Sequence, residues 1–302
     1  MSTTTGAHAS PTIAVGDLRV TALLDVDLPF PLAIDQVFTG LTTDEWDVHR
    51  SRYPDAFAAG GGWRYVVTCY LLRGGDRCVL VDTGCGAATL AFPSFLGIAG
   101  QLGERLAALD VSAEEIDTVV ITHIHPDHVG GVMAPGGGGP APAFPRARFL
   151  VPRDDWEAWS RPEVQEAFPF PYVGDTIAPL VASGAVDLVD GEHGVSPQLT
   201  LLPTPGHTPG SSSLLIDSGG ERAVLVGDLW LHPSQVTDPS LACSFDMEPE
   251  IALATRAALA ERITNEGMVM GACHFPEPFG QLVRLEGRHH WMPVARWRDD
   301  AS

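Results

Sequence analysis

Three histidines and an aspartate fall within six positions, 123 to 128, in the stretch ITHIHPDHVGG, directly after the apolar run DTVV. This cluster constrains the chain more than any other feature. The apolar run reads as a buried strand, so the histidines begin where a strand ends. His123 and His125 are separated by one residue, and in an extended segment they point the same way. Pro126 then turns the chain, and Asp127 and His128 face a neighbouring position. Gly130 and Gly131 follow, removing bulk where the backbone must pass close to the cluster.

The same arrangement recurs elsewhere. LTLLPTPGH ends at His207, AVLVGD at Asp228, MVMGACH at His274 and VLVDTG at Asp82. Side chains just past strand ends gather at one rim of a sheet, where loops leave room for a ligand. Imidazole nitrogens and carboxylate oxygens suit Zn²⁺, and also Mn²⁺, Fe²⁺ or Co²⁺. Two cations roughly 3.5–4 Å apart need a shared anion, and a carboxylate such as Asp228 would serve. His8, His49, His193, His289 and His290 lack such company and read as surface or satisfied core residues.

Local signals place these motifs on an α+β chain. TIAVGDLRVTALLDVDLP reads as two strands around a GD turn. TTDEWDVHRSRY reads as a helix capped by Thr42 or Thr43, and residues 65 to 72 as a strand. Ser112 and Glu115 form a capping-box pattern, and residues 99 to 109 suit a helix. Residues 134 to 145, APGGGGPAPAFP, read as a mobile loop. A helix is expected near 175 to 183. A longer one is expected over EPEIALATRAALAERITNEG, with Pro249 at its start and Gly267 past its end. MVMGACH is expected to be the last strand. Antiparallel runs of strands with helices between the runs fit two sheets with helices on their outer faces. Residues 1–11 read as a disordered tail and 12–302 as a single domain.

Charge and composition exclude several classes. The net charge of −20 repels a polyanion, so no nucleic-acid partner is expected. No apolar run approaches the roughly 20 residues that span a bilayer, and the N-terminus lacks a secretory pattern. The five cysteines are odd in number and form no CxxC. This favours reduced thiols and a cytoplasmic location. Cys85 and Cys273 stand beside the ligand motifs and read as small buried apolar residues.

THIHPDHVGG resembles the HxHxDH signature of the metallo-β-lactamase superfamily. LVDTGCG, PTPGHTPGS, VGD and GACH resemble its other motifs in the same order, over about residues 13 to 285. The resemblance implies an αββα sandwich with a dinuclear metal site at one edge. By position, His123, His125 and His207 would hold one metal. Asp127, His128 and His274 would hold the other, with Asp228 bridging and Asp82 orienting a ligand histidine.

Within the superfamily, flavodiiron-type reductases put Glu where this chain has His125. True β-lactamases lack the Asp228 equivalent, and the tRNA-processing nucleases need a basic exosite. Glyoxalase II enzymes grip glutathione with a basic C-terminal region, which has no clear counterpart here. The FPRARFLVPRDDWEAW and GDLWLHPSQVTDPSLACSFDMEPEIALATR runs look most like the group containing methyl parathion hydrolase and related lactonases. Acyl-homoserine lactonases carry a Tyr three residues after the bridging Asp, where this chain has Leu231; His232 or Tyr65 are candidates to supply that hydrogen-bonding group.

The implied chemistry is hydrolysis by a hydroxide held between two cations, attacking a lactone or ester carbonyl, with Asp127 or Asp228 passing the proton. A lactonase is the leading reading. The alternatives are a phosphotriesterase, arylesterase or thioesterase on the same site, and a metal-dependent binding protein without turnover. Trp63, Phe92, Phe95, Trp156, Trp230, Phe275 and Phe279 are the candidates to line a pocket for an uncharged, partly apolar small molecule, with Trp156 and Phe275 the preferred pair. Homodimer formation is left open.

Overall fold

The computed structural model describes residues 10–134, 141–168 and 171–294. The proposed tail, apart from its last two residues, and residues 135–140 of the glycine-rich loop lie outside them.

Two seven-stranded sheets form the centre. The first runs in the order Thr12–Val15, Leu18–Pro29, Arg64–Gly74, Arg77–Val81, Thr118–Val120, Arg148–Pro152, Val186–Val189. Its first four strands pair antiparallel and its last three join in parallel, with Val79 opposite Thr118 and Val81 opposite Val120. The second runs Arg288–Pro293, Phe279–Leu285, Val269–Gly271, Glu221–Leu225, Ser212–Ser218, Leu199–Pro203, His193–Ser196.

The period-2 alternation of strand side chains explains the layering. Leu72, Val79, Val81 and Val120 point inward from the first sheet and meet Leu201, Leu214, Ile216 and Leu225 of the second. Their neighbours Leu71, Leu80 and Val119 point outward, against Leu102, Leu106, Trp159, Ile177 and Leu180 from helices. On the far side, Val224 and Met270 pack against Leu259 and Ile263 of helix Pro249–Glu266. Central strands buried on both faces read as continuous apolar runs, as RCVLV and DTVV do. The result is an αββα sandwich.

The structure adds elements that the sequence patterns did not announce, among them the strands Val186–Val189 and His193–Ser196. A hairpin of Phe279–Leu285 and Arg288–Pro293 follows MVMGACH, turning at Glu286 and Gly287, both with positive φ. Its charged LEGRHH centre hides the alternation because the strand lies at a sheet edge. The Ser112 capping box closes a 3-10 turn, Ala113–Glu115. PDHV is a one-turn helix, Pro126–Val129, with Pro at its first position where no N–H is needed. Thr42 caps helix Thr43–Arg52, with Glu45 reaching back to its backbone N–H.

Candidate metal centre

The strand Thr118–Val120 delivers His123, His125, Asp127 and His128; the strands Leu199–Pro203, Glu221–Leu225 and Val269–Gly271 deliver His207, Asp228 and His274. All seven side chains are buried. One donor atom from each of His123, His125, His207 and Asp228 lies within 4.8 Å of the others. His125 Nδ1 is 3.0 Å from His123 Nε2 and 2.9 Å from His207 Nε2. That spacing approaches the separation of neighbouring donors on one ion bound at roughly 2.0–2.1 Å.

A second group shares Asp228. Its Oδ1 is 3.1 Å from His128 Nε2, while its Oδ2 is 3.0 Å from His274 Nε2 and 3.3 Å from His207 Nε2. Asp127 Oδ2 stands 3.5 Å from both His128 Nε2 and His274 Nε2. His128 Nε2 and Asp228 Oδ1 are buried without a hydrogen-bond partner. Orphaned polar atoms in a core are costly, and a cation between them would satisfy both. The donor set therefore fits divalent metal, with Asp228 facing both groups.

The opposite edges of the ligands are anchored, which fixes ring orientation. His128 Nδ1 bonds Asp82 Oδ2 at 2.8 Å, and His274 Nδ1 bonds the Val66 carbonyl at 2.6 Å. Asp82 adopts φ 60° and also accepts from the backbone N–H and hydroxyl of Thr122, at 2.8 and 2.9 Å. His207 Nδ1 is 3.1 Å from Asp246 Oδ1, which also receives Arg256 Nη2 at 2.8 Å. Arg256 Nε donates to the carbonyl of Leu229, next to Asp228. Asp155 joins two ligand loops, accepting from Ile124 N at 2.6 Å and Gly210 N at 2.7 Å. The sequence pattern pointed to Asp82. It gave no role to Asp155, Asp246 or Arg256, because bonds from distant loops leave no local periodicity.

Electrostatics follow burial and charge. Burial, reinforced by His207, drives His125 down to about 3; burial likewise lowers His123, with His128 adding to it. Burial also opposes a charge on His128 and His274, but the acidic groups around them, Asp228 first, together outweigh it and raise both. Burial would raise Asp127, yet His128 holds its carboxyl below the usual carboxylate range.

The glycines of DHVGG have a steric cause. A Cβ on Gly130 would stand 2.0 Å from the Cys85 carbonyl oxygen, and one on Gly86 2.1 Å from that of Gly130. The loop after Val81 and the histidine loop thus pack backbone to backbone.

A cavity of about 750 Å³ opens onto the cluster, touching His125, Asp127, His207, Asp228 and His274. Trp63, Phe92 and Phe95 line it as expected from the sequence, joined by Phe30, Trp159, Phe168 and Phe245. Four candidates do not reach it. Trp156 packs on the outer core of the first sheet, and Trp159, a turn later, takes its place. Trp230 and Phe275 lie beneath helix Pro249–Glu266, with Phe275 edge-on to Trp291 at 5.0 Å. Phe279 lies between the sheets, 5.5 Å from Tyr70. Their aromatic character reflects core packing, which a sequence position beside a ligand does not reveal. Leu231 lines the cavity, and Tyr65 faces it with its hydroxyl donating to Asp127 Oδ2 at 2.6 Å. His232 is enclosed by Phe38, Trp46 and Phe57 instead. No Lys or Arg lines the cavity among the described residues.

Residues 62–274 match the model of the metallo-beta-lactamase superfamily, and the chain belongs to that family. It is accordingly a hydrolytic enzyme with a His/Asp site for divalent metal. It is 26% identical to the N-acyl homoserine lactonase AiiA of Bacillus thuringiensis subsp. kurstaki over 214 residues, 66% of this chain and 77% of that protein. It is 32% identical to a hydroxyacylglutathione hydrolase of Aeromonas hydrophila over 145 residues, 47% of this chain and 39% of that one. Among solved structures, the hydrolase AbOPH of the beta lactamase superfamily superposes with a TM-score of 0.80 at 25% identity, covering 96% of this chain and 99% of that one. AidC, a dizinc quorum-quenching lactonase, also gives 0.80, at 21% identity over 95% and 98%. No helix among the described residues is long and apolar enough to cross a membrane.

Proposed function

We propose that this enzyme is a lactonase that opens small, uncharged lactones carrying an apolar substituent, using two divalent cations, Zn²⁺ foremost. The observation that carries the reading is the cavity: an apolar chamber without a cationic wall, ending on the seven-ligand cluster with the Tyr65 hydroxyl at its floor. Away from the cations, an anionic substrate such as a glutathione thioester would find no cationic side chain to hold its charged groups, and would meet Glu163 on the wall. The 26% identity to N-acyl homoserine lactonases supports the same substrate class.

Two cations bound to these groups would lower the pKa of water and polarise the substrate carbonyl. The chain supplies the rest. Phe30, Trp159, Phe168 and Phe245 bind the apolar substituent and exclude water. Asp127 Oδ2 takes up the proton that the water gives up, and the Tyr65 hydroxyl, bonded to that oxygen, passes its own proton to the leaving oxygen while it recovers one from Asp127, so that the proton count closes. Tyr65 would thus supply the hydroxyl that Leu231 does not.

Parallel turnover of N-acyl homoserine lactones of graded chain length, an aryl acetate, a glutathione thioester and a phosphotriester tests the proposal. Lactones should give the highest kcat/KM, and His125→Ala should lose both metal and turnover while keeping the fold. A phosphotriester, aryl ester or thioester turned over faster than every lactone would overturn it.

A further inference from the structure

Cysteine usage separates one thiol from the other four. Cys69, Cys85 and Cys243 are buried inside apolar clusters, and Cys78 packs partly against one. Cys273 is equally buried, with 2% of its surface exposed, yet it belongs to none of the apolar clusters among the described residues. Its neighbours include ligands: one donor atom from each of His128, Asp228, Cys273 and His274 lies within 4.8 Å of the others. Two other atoms of this group, His128 Nε2 and Asp228 Oδ1, are the buried atoms left without a hydrogen-bond partner. A small apolar residue would pack against aliphatic carbons. A sulfur placed among two imidazoles and a carboxylate, two of which keep one polar atom without a partner, is placed as a donor.

We infer that Cys273 Sγ is a further ligand of the second cation, adding sulfur to the nitrogen and oxygen donors of Asp127, His128, His274 and Asp228. This rests on the reading that two cations occupy the cluster, but not on the identity of the substrate. The two sites then differ in kind. The first, with His123, His125, His207 and Asp228, contains no sulfur and suits ions of borderline softness. The second contains a soft donor and favours thiophilic ions such as Zn²⁺ or Cd²⁺ over Mn²⁺. Manganese would accordingly fill the first position and leave the second weakly held.

The test uses the intact protein exchanged with Co²⁺ and, separately, with ¹¹³Cd²⁺. With two equivalents bound, the wild type should show a near-ultraviolet sulfur-to-cobalt charge-transfer band and two cadmium resonances, one displaced downfield by sulfur. Cys273→Ser should abolish the band and move that resonance upfield. Cys69→Ser and Cys85→Ser should leave both unchanged. Two bound equivalents with no charge-transfer band, or a band that survives Cys273→Ser, would overturn the assignment. Should the serine variant misfold, the wild-type cadmium spectrum decides alone: two resonances without sulfur displacement overturn it. Failure to bind a second equivalent would overturn this inference and the two-cation reading together, whereas a sulfur signature with no lactone turnover would leave it standing and defeat only the lactonase proposal.

Discussion

Asp246 joins stability to metal binding, and its replacement by alanine separates the two. The carboxylate and Arg256 form a buried pair at 2.8 Å, with side chains 0% and 2% exposed. Removing one member of such a pair strands the other charge in the core and costs about 3–5 kcal/mol. Asp246 Oδ2 and Arg256 Nη1 already lack partners, so the loss should sit near the lower end, about 3 kcal/mol. The same substitution frees His207 Nδ1, which Asp246 holds at 3.1 Å. Losing such an anchor weakens metal affinity by about 10–100-fold. Urea unfolding in excess chelator isolates the first effect, and competition with a chromophoric chelator isolates the second. The double substitution Asp246→Leu with Arg256→Met removes both charges at once. It should recover most of the stability, but none of the affinity. A loss below about 1 kcal/mol for Asp246→Ala, or an affinity restored in the double variant, would refute the reasoning.

Tyr65→Phe deletes the 2.6 Å hydrogen bond to Asp127; a bond to a charged group contributes about 1.5–3 kcal/mol, so kcat should fall by roughly 10- to 150-fold with metal content unchanged, as steady-state kinetics and metal analysis will show. Phe95 is 52% exposed and lines the cavity, so Phe95→Ala should raise KM for long acyl chains more than for short ones while altering stability by less than about 0.5 kcal/mol; a uniform change across chain lengths would argue against the role. Burial holds His232 neutral in the fold, with its pKa lowered to about 3. The unfolded chain therefore binds a proton that the native state refuses. The stability this contributes is complete above the ordinary histidine pKa, about 6.5, and is lost as pH falls below it. His232 alone should cost metal-free protein up to about 1.4 kcal/mol per pH unit, so urea titrations at graded pH should find the slope smaller by about that amount in His232→Gln.

The metal cluster was legible because its ligands follow apolar runs, and strand ends leave a local mark. His123 through His128 advertise themselves by spacing, and His207, Asp228 and His274 each follow an apolar run. Thr42 and Gly267 were equally readable, since capping is a local bond. The cavity wall was not. Phe275 and Phe30 look alike along the chain, yet one sits under a helix and the other faces the chamber, a difference set by which sheet face and which loop each occupies. Trp156 and Trp159 share a helix and differ only in rotation. Tyr65, Asp155 and Arg256 act across long separations, where no window of sequence holds both partners. The closing hairpin escaped notice because an edge strand with a solvated face can carry the charges of LEGRHH without cost.

The ligands come from both sheets, and this has a consequence for how the chain stays folded. All five cysteines are free, so no covalent cross-link restrains the unfolded ensemble. A cation held by His125 and His207 would tie residues 82 apart. Closing a loop of about that length with a disulfide removes enough chain entropy to contribute about 4–5 kcal/mol at 25 °C in the polymer estimate. Ions at the sheet edge would serve this protein as reversible clasps between its halves, giving an enzyme without disulfides a mechanical restraint that a chelator can release.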